Sequence, residues 1–501
     1  MPPSPPTAAP PIFPESDTAL ARDLQIEAVI AGDARLSPAD TLRLYHEASL
    51  HALGRWASAV CDRLHGSGPQ AKRTYIIDRN INYTNVCSAS CTFCAFFRKE
   101  GDEDAYVLTK QQLHDKVRQL VEIGGTQVLL QGGMHPRLGV DFYVELLRGL
   151  KDAFPGVHIH GFSPPEFVEF VAVYELDGFP KTDPKKSHEL PASVWRGKLE
   201  AIMRRLMEAG MDSLPGGGGE IFAPHVRRKI GLGKASASQW LDVMETAHRL
   251  GMYTSGTMMF GHIEGVADRI MHMDAIRRRQ DRAIENNYPG RYISFISWPF
   301  QRENTPLGHL PDFDRALEPQ GERFPGDVLA EAVMRGEVHP EDKKACGAVA
   351  PRAGKVVRLA GATDYLRTQA ISRLYLDNIH SIGSSWVTMG PRIGELGLYY
   401  GANDMGSVMM EENVVSAAGT TYCLSEEVLC HLIRDAGFTP AQRDNRYRFL
   451  KVHDGPDAPD RRVDDWSTQR AKALHIENQS EPTAPGDEGR NATVSLTVEG
   501  K

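Results

Sequence analysis

The stretch that decides the interpretation of this chain is residues 80–98, NINYTNVCSASCTFCAFFR. It joins a predicted strand, NINYTNV, to three cysteines spaced C-x3-C-x2-C: Cys87, Cys91 and Cys94. The other four of the seven cysteines are scattered, so a disulfide framework is not indicated and a reducing cytoplasm suits the chain. The first question is therefore which group these three neighbouring thiols bind.

Outward from this stretch, the same order of strand, polar or glycine-rich loop, and helix recurs eight times. The predicted strands are 80–86, 126–130, 157–162, 211–215, 253–259, 292–298, 381–387 and about 401–407. Short crossovers between successive strands indicate parallel pairing. Eight such units predict an α/β fold of the TIM type, a (β/α)8 barrel whose active site is formed by loops at the C-terminal strand ends. An open doubly wound sheet is the alternative.

The composition divides the rest of the chain around this barrel. The predicted segments are a disordered proline-rich leader (1–16), a helical region packed outside the barrel (17–72), the barrel (73–450) with surface insertions near 174–197 and 308–357, and a disordered tail (451–501). Nothing in the second insertion resembles a functional site.

The bulk composition excludes several function classes. A net charge of −8 gives no general basis for binding nucleic acid, although a local basic pocket for an anionic small molecule remains open. No run of 18 or more apolar residues occurs, so no membrane span is predicted.

Three interpretations of the cysteine cluster compete. A structural zinc site normally closes with four protein ligands, and no second C-x-x-C motif follows, although histidines could complete such a site in a zinc-stabilised binding scaffold. A disulfide would leave an odd thiol. A four-iron cluster held by three thiolates leaves one iron without a protein ligand, and that open position is typical of a catalytic arrangement.

C-x3-C-x2-C with Phe93 before the last cysteine resembles the signature of the radical S-adenosylmethionine (SAM) enzymes. The resemblance implies a 4Fe-4S cluster, bound by Cys87, Cys91 and Cys94, whose open iron chelates the methionine part of SAM. It also implies that an electron from the cluster cleaves SAM and yields a 5′-deoxyadenosyl radical. The hard chemistry would then belong to the cofactor, and the protein would orient and insulate the reactants.

Several loops after predicted strands resemble the SAM-binding segments of this superfamily. The residues that the resemblance assigns to the cofactor are Phe93, Gln131, Gly132, Gly133, Ser163, Glu220, Thr257, Gly261 and Glu264. Four consecutive glycines precede Glu220, and their entropic cost favours a backbone that lies against a ligand. Plain turn roles remain open for Gln131–Gly133 and for Ser163.

Further segments, among them SWPFQRENTPL, GANDMGS and AGFTPAQRD, resemble the cyclic dehypoxanthinyl futalosine synthases of menaquinone biosynthesis, from about residue 73 to 450. The resemblance implies that the radical removes the C4′ hydrogen of the ribose in dehypoxanthinyl futalosine, and that the carbon radical attacks the benzoate ring. It also implies a reductant such as flavodoxin or ferredoxin. Aminofutalosine synthase and deazaflavin (FO) synthase share the cluster and barrel and remain alternatives.

This family's substrate requires a carboxylate anchor, contacts for sugar hydroxyls and a proton acceptor. His262 and Glu412 are the candidate catalytic residues, with His262 accepting the final proton. The candidate substrate-binding residues are Trp298, with Phe300, against the benzoate ring, Arg302 or Arg392 on the carboxylate, and Asn403 and Asp404, with Glu412, on the sugar.

Overall fold

The computed structural model describes residues 14–180, 189–420, 422–466, 474–475 and 492–495. The strands are β1 (Lys72–Ile76), β2 (Asp78–Asn82), β3 (Gln127–Gln131), β4 (His158–Gly161), β5 (Thr254–Phe260), β6 (Tyr292–Pro299), β7 (Ser381–Gly383), β8 (Asp404–Ser407), β9 (Glu411–Glu412), β10 (Thr439–Arg443), β11 (Phe449–Val452), β12 (Leu474–His475) and β13 (Ala492–Ser495).

The helices lie mainly between these strands. They are α1 (Glu15–Asp23), α2 (Ile26–Ala31), α3 (Pro38–Glu47), α4 (Leu50–His65), α5 (Lys110–Glu122), α6 (Val140–Ala153), α7 (Pro164–Val173), α8 (Ala192–Glu208), α9 (Pro224–Ile230), α10 (Ala237–Arg249), α11 (Val266–Glu285), α12 (Pro325–Met334), α13 (Lys343–Val349), α14 (Ala362–Tyr375), α15 (Trp386–Met389), α16 (Pro391–Gly397) and α17 (Glu426–Asp435). Short 3-10 segments are Leu307–His309, Arg315–Gln320, Leu398–Tyr400 and Ser416–Ala418.

The parallel strands form the predicted barrel. It closes because β1 and β2 are two parts of one bent strand, of which β1 pairs with β8 and β2 pairs with β3. β3 pairs with β4, and β5 to β8 pair in chain order. Between β4 and β5 the predicted fourth strand is reduced to Ser213 and Leu214, which bridge to His160 and Thr254. All eight strands are parallel, and the sheet closes on itself. This closure excludes the alternative of an open sheet.

The first strand differs from its predicted bounds. It begins at Lys72 and ends at Asn82, so residues 83–86 belong to the following loop. Tyr83 is fully buried by ring contacts with Tyr143 and Phe162, with centroids 5.5 and 6.1 Å apart. An apolar loop buried by packing has the same sequence pattern as a strand, which explains the difference.

One helix shows how the sequence ends each unit. Thr109 caps α5, its hydroxyl accepting from the backbone of Gln112 while the Gln112 side chain accepts from the Thr109 backbone. Leu113, Val117 and Leu120 lie at helical spacing and are buried. The capped amphipathic helix therefore packs on the barrel after β2, as its pattern predicts.

The flanking segments agree in part with their predictions. The predicted helical region contains α1 to α4, and α4 packs against α14 on the outside of the barrel. The predicted leader lies outside the described residues up to residue 13, and α1 already begins at Glu15. In the first insertion, residues 181–188 lie outside the described part, and the second insertion contains α12 and α13.

The predicted disordered tail is described only at 451–466, 474–475 and 492–495. Within it, β13 pairs antiparallel with both β12 and β9. Composition could not reveal these short strands, because their backbone hydrogen bonds depend on partners elsewhere in the chain. None of the described helices is long and apolar enough to cross a membrane.

One element beyond the eight units reaches the barrel interior. β10 pairs in parallel with β1, on the side away from β8, and then forms a hairpin with β11. The connecting loop contacts residues at strand beginnings, since Asn445 donates to the Gln127 side chain at 2.6 Å. The loop therefore lies at the N-terminal end of the barrel, and Arg443 and Tyr447 line its interior.

Candidate active site

A cavity of about 300 Å3 lies at the C-terminal ends of the strands and contains all three clustered cysteines. We call it the mouth cavity. Its lining includes Asn80, Cys87, Cys91, Phe93, Cys94, Gln131, Gly132, Gly133, Ser163, Glu166, Gly217, Gly218, Glu220, Lys234, Met259, Trp298, Phe300, Glu412 and Val415. Six of the nine predicted cofactor residues line it, namely all except Thr257, Gly261 and Glu264.

The cysteine loop is held by backbone hydrogen bonds to the neighbouring strand end. Cys87 N donates to Arg98 O at 2.9 Å, and Ser88 N donates to Met134 O at 2.8 Å. Met134 N in turn donates to Cys87 Sγ at 3.4 Å. Cys94 N donates to Cys91 O at 3.1 Å, which closes a turn around the last two cysteines. The loop conformation is therefore set by the chain itself.

A lysine also binds the carbonyls of this loop. Lys99 Nζ donates to the backbone oxygens of Cys87, Ser88 and Ala89 at 3.1, 3.3 and 3.1 Å. Three carbonyls directed at one ammonium fix the beginning of the loop and place a positive charge beside it.

The three thiols fit an iron–sulfur cluster. Burial raises the pKa of all three, that of Cys91 to about 12, so binding of a metal has to displace protons from them. Among the residues that the structure describes, no three His, Cys, Asp or Glu side chains converge tightly enough to hold a single metal ion. In a cluster each thiolate binds a different iron, so the sulfurs need only face one common cavity, as these do.

Gly132 and Gly133 are required by close packing against the cysteine loop. A Cβ atom at Gly132 would lie 2.5 Å from the Tyr83 ring, and one at Gly133 would lie 2.1 Å from Val86 O. The sequence predicts these glycines as a close approach to SAM. In the structure their backbone faces the mouth cavity on one side and the cysteine loop on the other.

A buried carboxyl lies behind this glycine pair. Glu166 Oε1 accepts from Tyr83 Oη at 2.6 Å and from Gly132 N at 3.2 Å, and Oε2 accepts from Ser163 Oγ at 2.6 Å. Burial raises the pKa of Glu166 to about 8. Glu166 thus links the predicted cofactor residues Ser163 and Gly132, and sequence reasoning missed it.

The glycine run Gly216–Gly219 has a packing role that the sequence did not indicate. A Cβ at Gly216 would lie 2.4 Å from Ser255 O, and one at Gly219 would lie 2.5 Å from Thr257 O. Both glycines therefore allow the run to lie directly against β5. The middle two glycines line the mouth cavity, where contact with a ligand is possible.

Glu220 belongs to a buried ion pair in the mouth cavity. Its Oε1 accepts from Lys234 Nζ at 2.7 Å, and its Oε2, 3.7 Å from Arg227 Nη1, has no hydrogen-bond partner among the described residues. Burial opposes the charge of Lys234, but Glu220 and Cys91 together raise its pKa. The ammonium lies 4.9 Å from the centre of the Phe93 ring. A cation and an unsatisfied carboxylate oxygen therefore face the cysteines together.

A second cavity, of about 310 Å3, lies inside the barrel. We call it the barrel chamber. Its lining includes Asp78, Asn80, Gln127, Gln131, His160, Gly217, Ser255, Thr257, Ser294, Trp298, Asp404, Glu412, Val415, Arg443, Asn445 and Tyr447. The predicted cofactor residue Thr257 lines this chamber and not the mouth cavity, because its β5 position points it inward below the loops.

Arg443 is the one arginine or lysine in the described lining of the barrel chamber. Its Nε and one terminal nitrogen donate to Asp404 at 2.5 and 2.9 Å, and another nitrogen donates to Asp444 O at 3.2 Å. Since a guanidinium has five N–H donors, two remain for a ligand. Asp404 therefore lies in the chamber as predicted, already paired with a cation.

Glu412 lines both cavities. Its carboxylate accepts from the backbone nitrogens of Val414, Val415 and Ser416 at 3.2, 2.7 and 3.0 Å. Burial nevertheless raises its pKa to about 7. A carboxyl that exchanges a proton near neutral pH beside both cavities has the properties of a general base.

The segment 261–264 lies behind the cavities. Glu264 accepts from Gly261 N, His262 N and Arg269 Nε at 2.6, 2.9 and 2.8 Å, which lowers its pKa. His262 is fully buried, its Nδ1 lies 2.9 Å from Glu264, and neither residue lines a cavity. A Cβ at Gly261 would meet Ala360 at 2.6 Å. These three candidates therefore form the turn after β5 and do not reach the cavities.

Three predicted substrate residues also lie away from both cavities. Arg302 donates to Asp312 at 2.9 Å and braces its own loop, and Arg392 lies at the surface and donates to Asp435 at 2.9 Å. Asn403 accepts from Arg373 at 2.7 Å and holds β7 beside β8. The arginines are corrections to the predicted carboxylate anchor, because loop length alone does not determine where a long side chain points.

Trp298 and Phe300 agree with their predicted placement. Trp298 is the last residue but one of β6 and lines both cavities, and Phe300 lines the mouth cavity. The functional residues that sequence reasoning missed are Glu166, Lys234 and Arg443. Glu166 lies in the segment SPPE after β4, and Arg443 lies in the segment AQRD at the end of β10, but no local pattern singles out Lys234.

Family profiles match two parts of the chain. The Radical SAM superfamily profile matches residues 81–276, and a profile described as the CofH/MqnC C-terminal region matches residues 343–455. Together they cover the cysteine loop, five of the barrel strands after it, and the β10 segment with Arg443.

Relatives of known activity align with nearly the full chain. The cyclic dehypoxanthine futalosine synthase of Halalkalibacterium halodurans is 34% identical, over 87% of this chain and 97% of the relative. The enzyme of the same name from Streptomyces coelicolor is 36% identical, over 86% and 90%. The aminodeoxyfutalosine synthase of Thermus thermophilus is 34% identical, over 85% and 95%.

The fold also matches a solved structure. Methylornithine synthase superposes with a TM-score of 0.53 at 17% identity, over 83% of this chain and 97% of the other. At that identity the likeness concerns the fold alone.

Proposed function

The chain belongs to the radical SAM superfamily and, within it, to the family of the cyclic dehypoxanthine futalosine synthases, and from this we propose that it cyclises dehypoxanthinyl futalosine. In this reaction the ribose C4′ loses a hydrogen atom and bonds to the benzoate ring. Loss of one further electron and one proton restores aromaticity. The product serves menaquinone biosynthesis through the futalosine route.

The observation that supports this proposal best is that the mouth cavity and the barrel chamber adjoin. Their shared lining residues are Asn80, Gln131, Gly217, Trp298, Glu412 and Val415. A substrate in the chamber therefore lies directly beneath whatever the cysteines hold. Enclosure by the barrel also keeps water from a reactive carbon centre.

The residues of the mouth cavity fit the group that the superfamily implies. When bound, a 4Fe-4S cluster and SAM supply the 5′-deoxyadenosyl radical there. Cys87, Cys91 and Cys94 would hold the cluster, and the backbone of Gly132 and Gly133, with Ser163 and Glu220, would hold SAM. Lys234 offers a positive charge to anionic groups in the same cavity.

Arg443 is the proposed anchor of the benzoate carboxylate. Arg443 lines the chamber and keeps two N–H groups for a ligand, and a charge-assisted pair there would fix the ring deep in the barrel. Asp404 would accept from sugar hydroxyls, and Trp298 would pack on the ring near the mouth. These contacts would hold C4′ and the ring in the close approach that intramolecular attack requires.

Glu412 is the proposed acceptor of the final proton. It lines the substrate side and the cofactor side, and its pKa of about 7 lets the carboxylate form accept a proton at neutral pH. His262 lacks this access, so the predicted base role passes to Glu412. Three backbone N–H donors keep its carboxylate in place.

The proposed partners follow from the chemistry. Formation of the radical requires one electron from a reductant, such as flavodoxin or ferredoxin, and no nucleic acid is involved. The chain has only seven cysteines, three of them in one loop, which suits a reducing compartment, and we place the enzyme in the cytoplasm.

The test uses substrate deuterated at C4′, with reduced enzyme and SAM under anaerobic conditions. We expect a product lighter by the C4′ deuterium and one ring proton, together with singly deuterated 5′-deoxyadenosine, by mass spectrometry. The Cys91→Ala variant is the control without a complete cluster. An adenosine adduct formed from an enolpyruvyl benzoate, without the cyclic product, would transfer the assignment to aminodeoxyfutalosine synthase.

A further inference from the structure

A basic cleft lies outside the barrel, on the second insertion. It has a volume of about 440 Å3 between α9 and the helices α12 and α13, and we call it the basic groove. Its lining contains His225, Arg228, Lys229, Lys343 and Lys355, and no carboxylate among its described lining residues. The sequence predicted no site in this insertion.

The lysines of the basic groove are free to bind an external partner. Lys229, Lys343 and Lys355 are exposed, and the described residues provide none of them with an ion-pair partner. Arg228 is paired, at 3.3 Å, with the exposed Glu341. The buried His225 contacts Asp268 through Nε2, while its Nδ1 has no hydrogen-bond partner. The groove thus presents uncompensated positive charge.

This groove adjoins the cysteine loop. Its residue Lys229 begins the segment 229–233, which runs along that loop: Thr92 N donates to Ile230 O at 2.9 Å, and Ser90 N donates to Leu232 O at 2.9 Å. Leu232 exposes 48% of its surface. The surface next to the cysteines thus combines an exposed apolar side chain with unpaired lysines. This combination is typical of a transient protein-docking surface.

We propose that the basic groove and Leu232 form the docking surface for an acidic one-electron carrier protein of the flavodoxin or ferredoxin class. The inference rests on the proposed function, because that reaction requires an electron at the cysteine cluster. The carrier would be oxidised by one electron, and the cluster held by the cysteines would be reduced by that electron. Opposite charges steer the encounter, and Leu232 supplies the apolar contact.

The charge of the surface predicts how binding responds to salt. Exposed charges are screened within about 10 Å at 0.1 M ionic strength, so affinity for an acidic carrier falls as salt rises. A small anion such as inorganic phosphate is attracted by the same lysines, and its binding is measured as a separate outcome.

In the binding test, the full chain is titrated with an acidic flavodoxin that can be reduced, and binding is measured by isothermal titration calorimetry at low and at high salt. We expect Lys229→Glu to weaken binding at low salt by about tenfold or more, with a smaller difference at high salt. Lys451→Glu is the matched control, because Lys451 is exposed on β11 at the opposite end of the barrel. Lys229→Gln and a melting curve guard against misfolding of the charge-reversed variant.

The turnover test compares two reductants. With dithionite, which needs no docking surface, Lys229→Glu should equal the parent chain, and with flavodoxin its rate should fall while the Lys451→Glu control stays unchanged. Equal flavodoxin binding by Lys229→Glu and the parent would overturn the proposal, as would saturable phosphate binding in the groove without carrier binding. Absence of cyclisation by the parent with dithionite would instead contradict the proposed function and leave the binding result to decide the docking surface.

Discussion

Replacing Gly133 by alanine tests why glycine is needed beside the cysteine loop. A Cβ there would lie 2.1 Å from Val86 O and 3.1 Å from Cys87 Cβ, whereas real Cβ contacts essentially never fall below 3.0 Å. The loop that carries Cys87 must therefore move by about 1 Å. Overpacking of this kind costs about 1–3 kcal/mol, and here the displaced group is a cluster ligand.

The assay is the iron and acid-labile sulfide content per chain after anaerobic reconstitution, together with the melting temperature. We expect Gly133→Ala to bind less iron and to melt at a lower temperature. The matched control is Gly139→Ala, since a Cβ at Gly139 meets no atom within 4 Å. Full iron content in Gly133→Ala, combined with weakened SAM binding, would refute the packing argument and assign Gly133 to the cofactor alone.

Three further changes test the cavities. Because the pKa of Glu412 is raised to about 7, the rate of product formation should rise with pH up to about 7. The Glu412→Gln variant should lose that rise, and its cyclisation rate should fall by at least about 100-fold while 5′-deoxyadenosine still forms. An unchanged pH–rate profile in the variant would exclude Glu412 as the base. Burial raises the pKa of Glu166 from its ordinary value of 4.5 to about 8, so the folded state retains a proton that the unfolded state releases, and stability should fall as pH rises through this interval. Glu166→Gln should not show that fall in thermal melts, and a parallel fall would contradict the argument. Arg443→Gln should weaken substrate binding by about 10- to 100-fold in equilibrium dialysis, whereas the surface change Arg392→Gln should leave it unchanged; equal affinities would exclude Arg443 as the anchor.

The fold could be predicted from sequence because its signals are local. Each unit of the barrel carries its own apolar run, loop and amphipathic helix, as α5 with its Thr109 cap illustrates. The cysteine spacing lies within eight residues and needs no tertiary contact to be recognised. The fourth strand was located at 211–215 even though only Ser213 and Leu214 bridge to the neighbouring strands.

The site was most predictable where a residue lies at or directly after the end of a strand. Gln131 ends β3, Trp298 is the last residue but one of β6, and both line the cavities, since the end of a barrel strand faces the mouth. Arg302 and Arg392 lie farther into their loops, where the direction of a long side chain depends on distant partners such as Asp312 and Asp435. Loop position therefore did not determine their role.

The sequence by itself determined the barrel, the three-cysteine loop and the glycine segments around it. Only the tertiary structure decided that Arg443, from beyond the eighth strand, enters the barrel chamber, and that Glu412 and not His262 faces both cavities. The physical reason is that spacing and periodicity are properties of neighbouring residues, whereas a cavity forms where side chains from distant strands converge under the register of the sheet and the packing of the core.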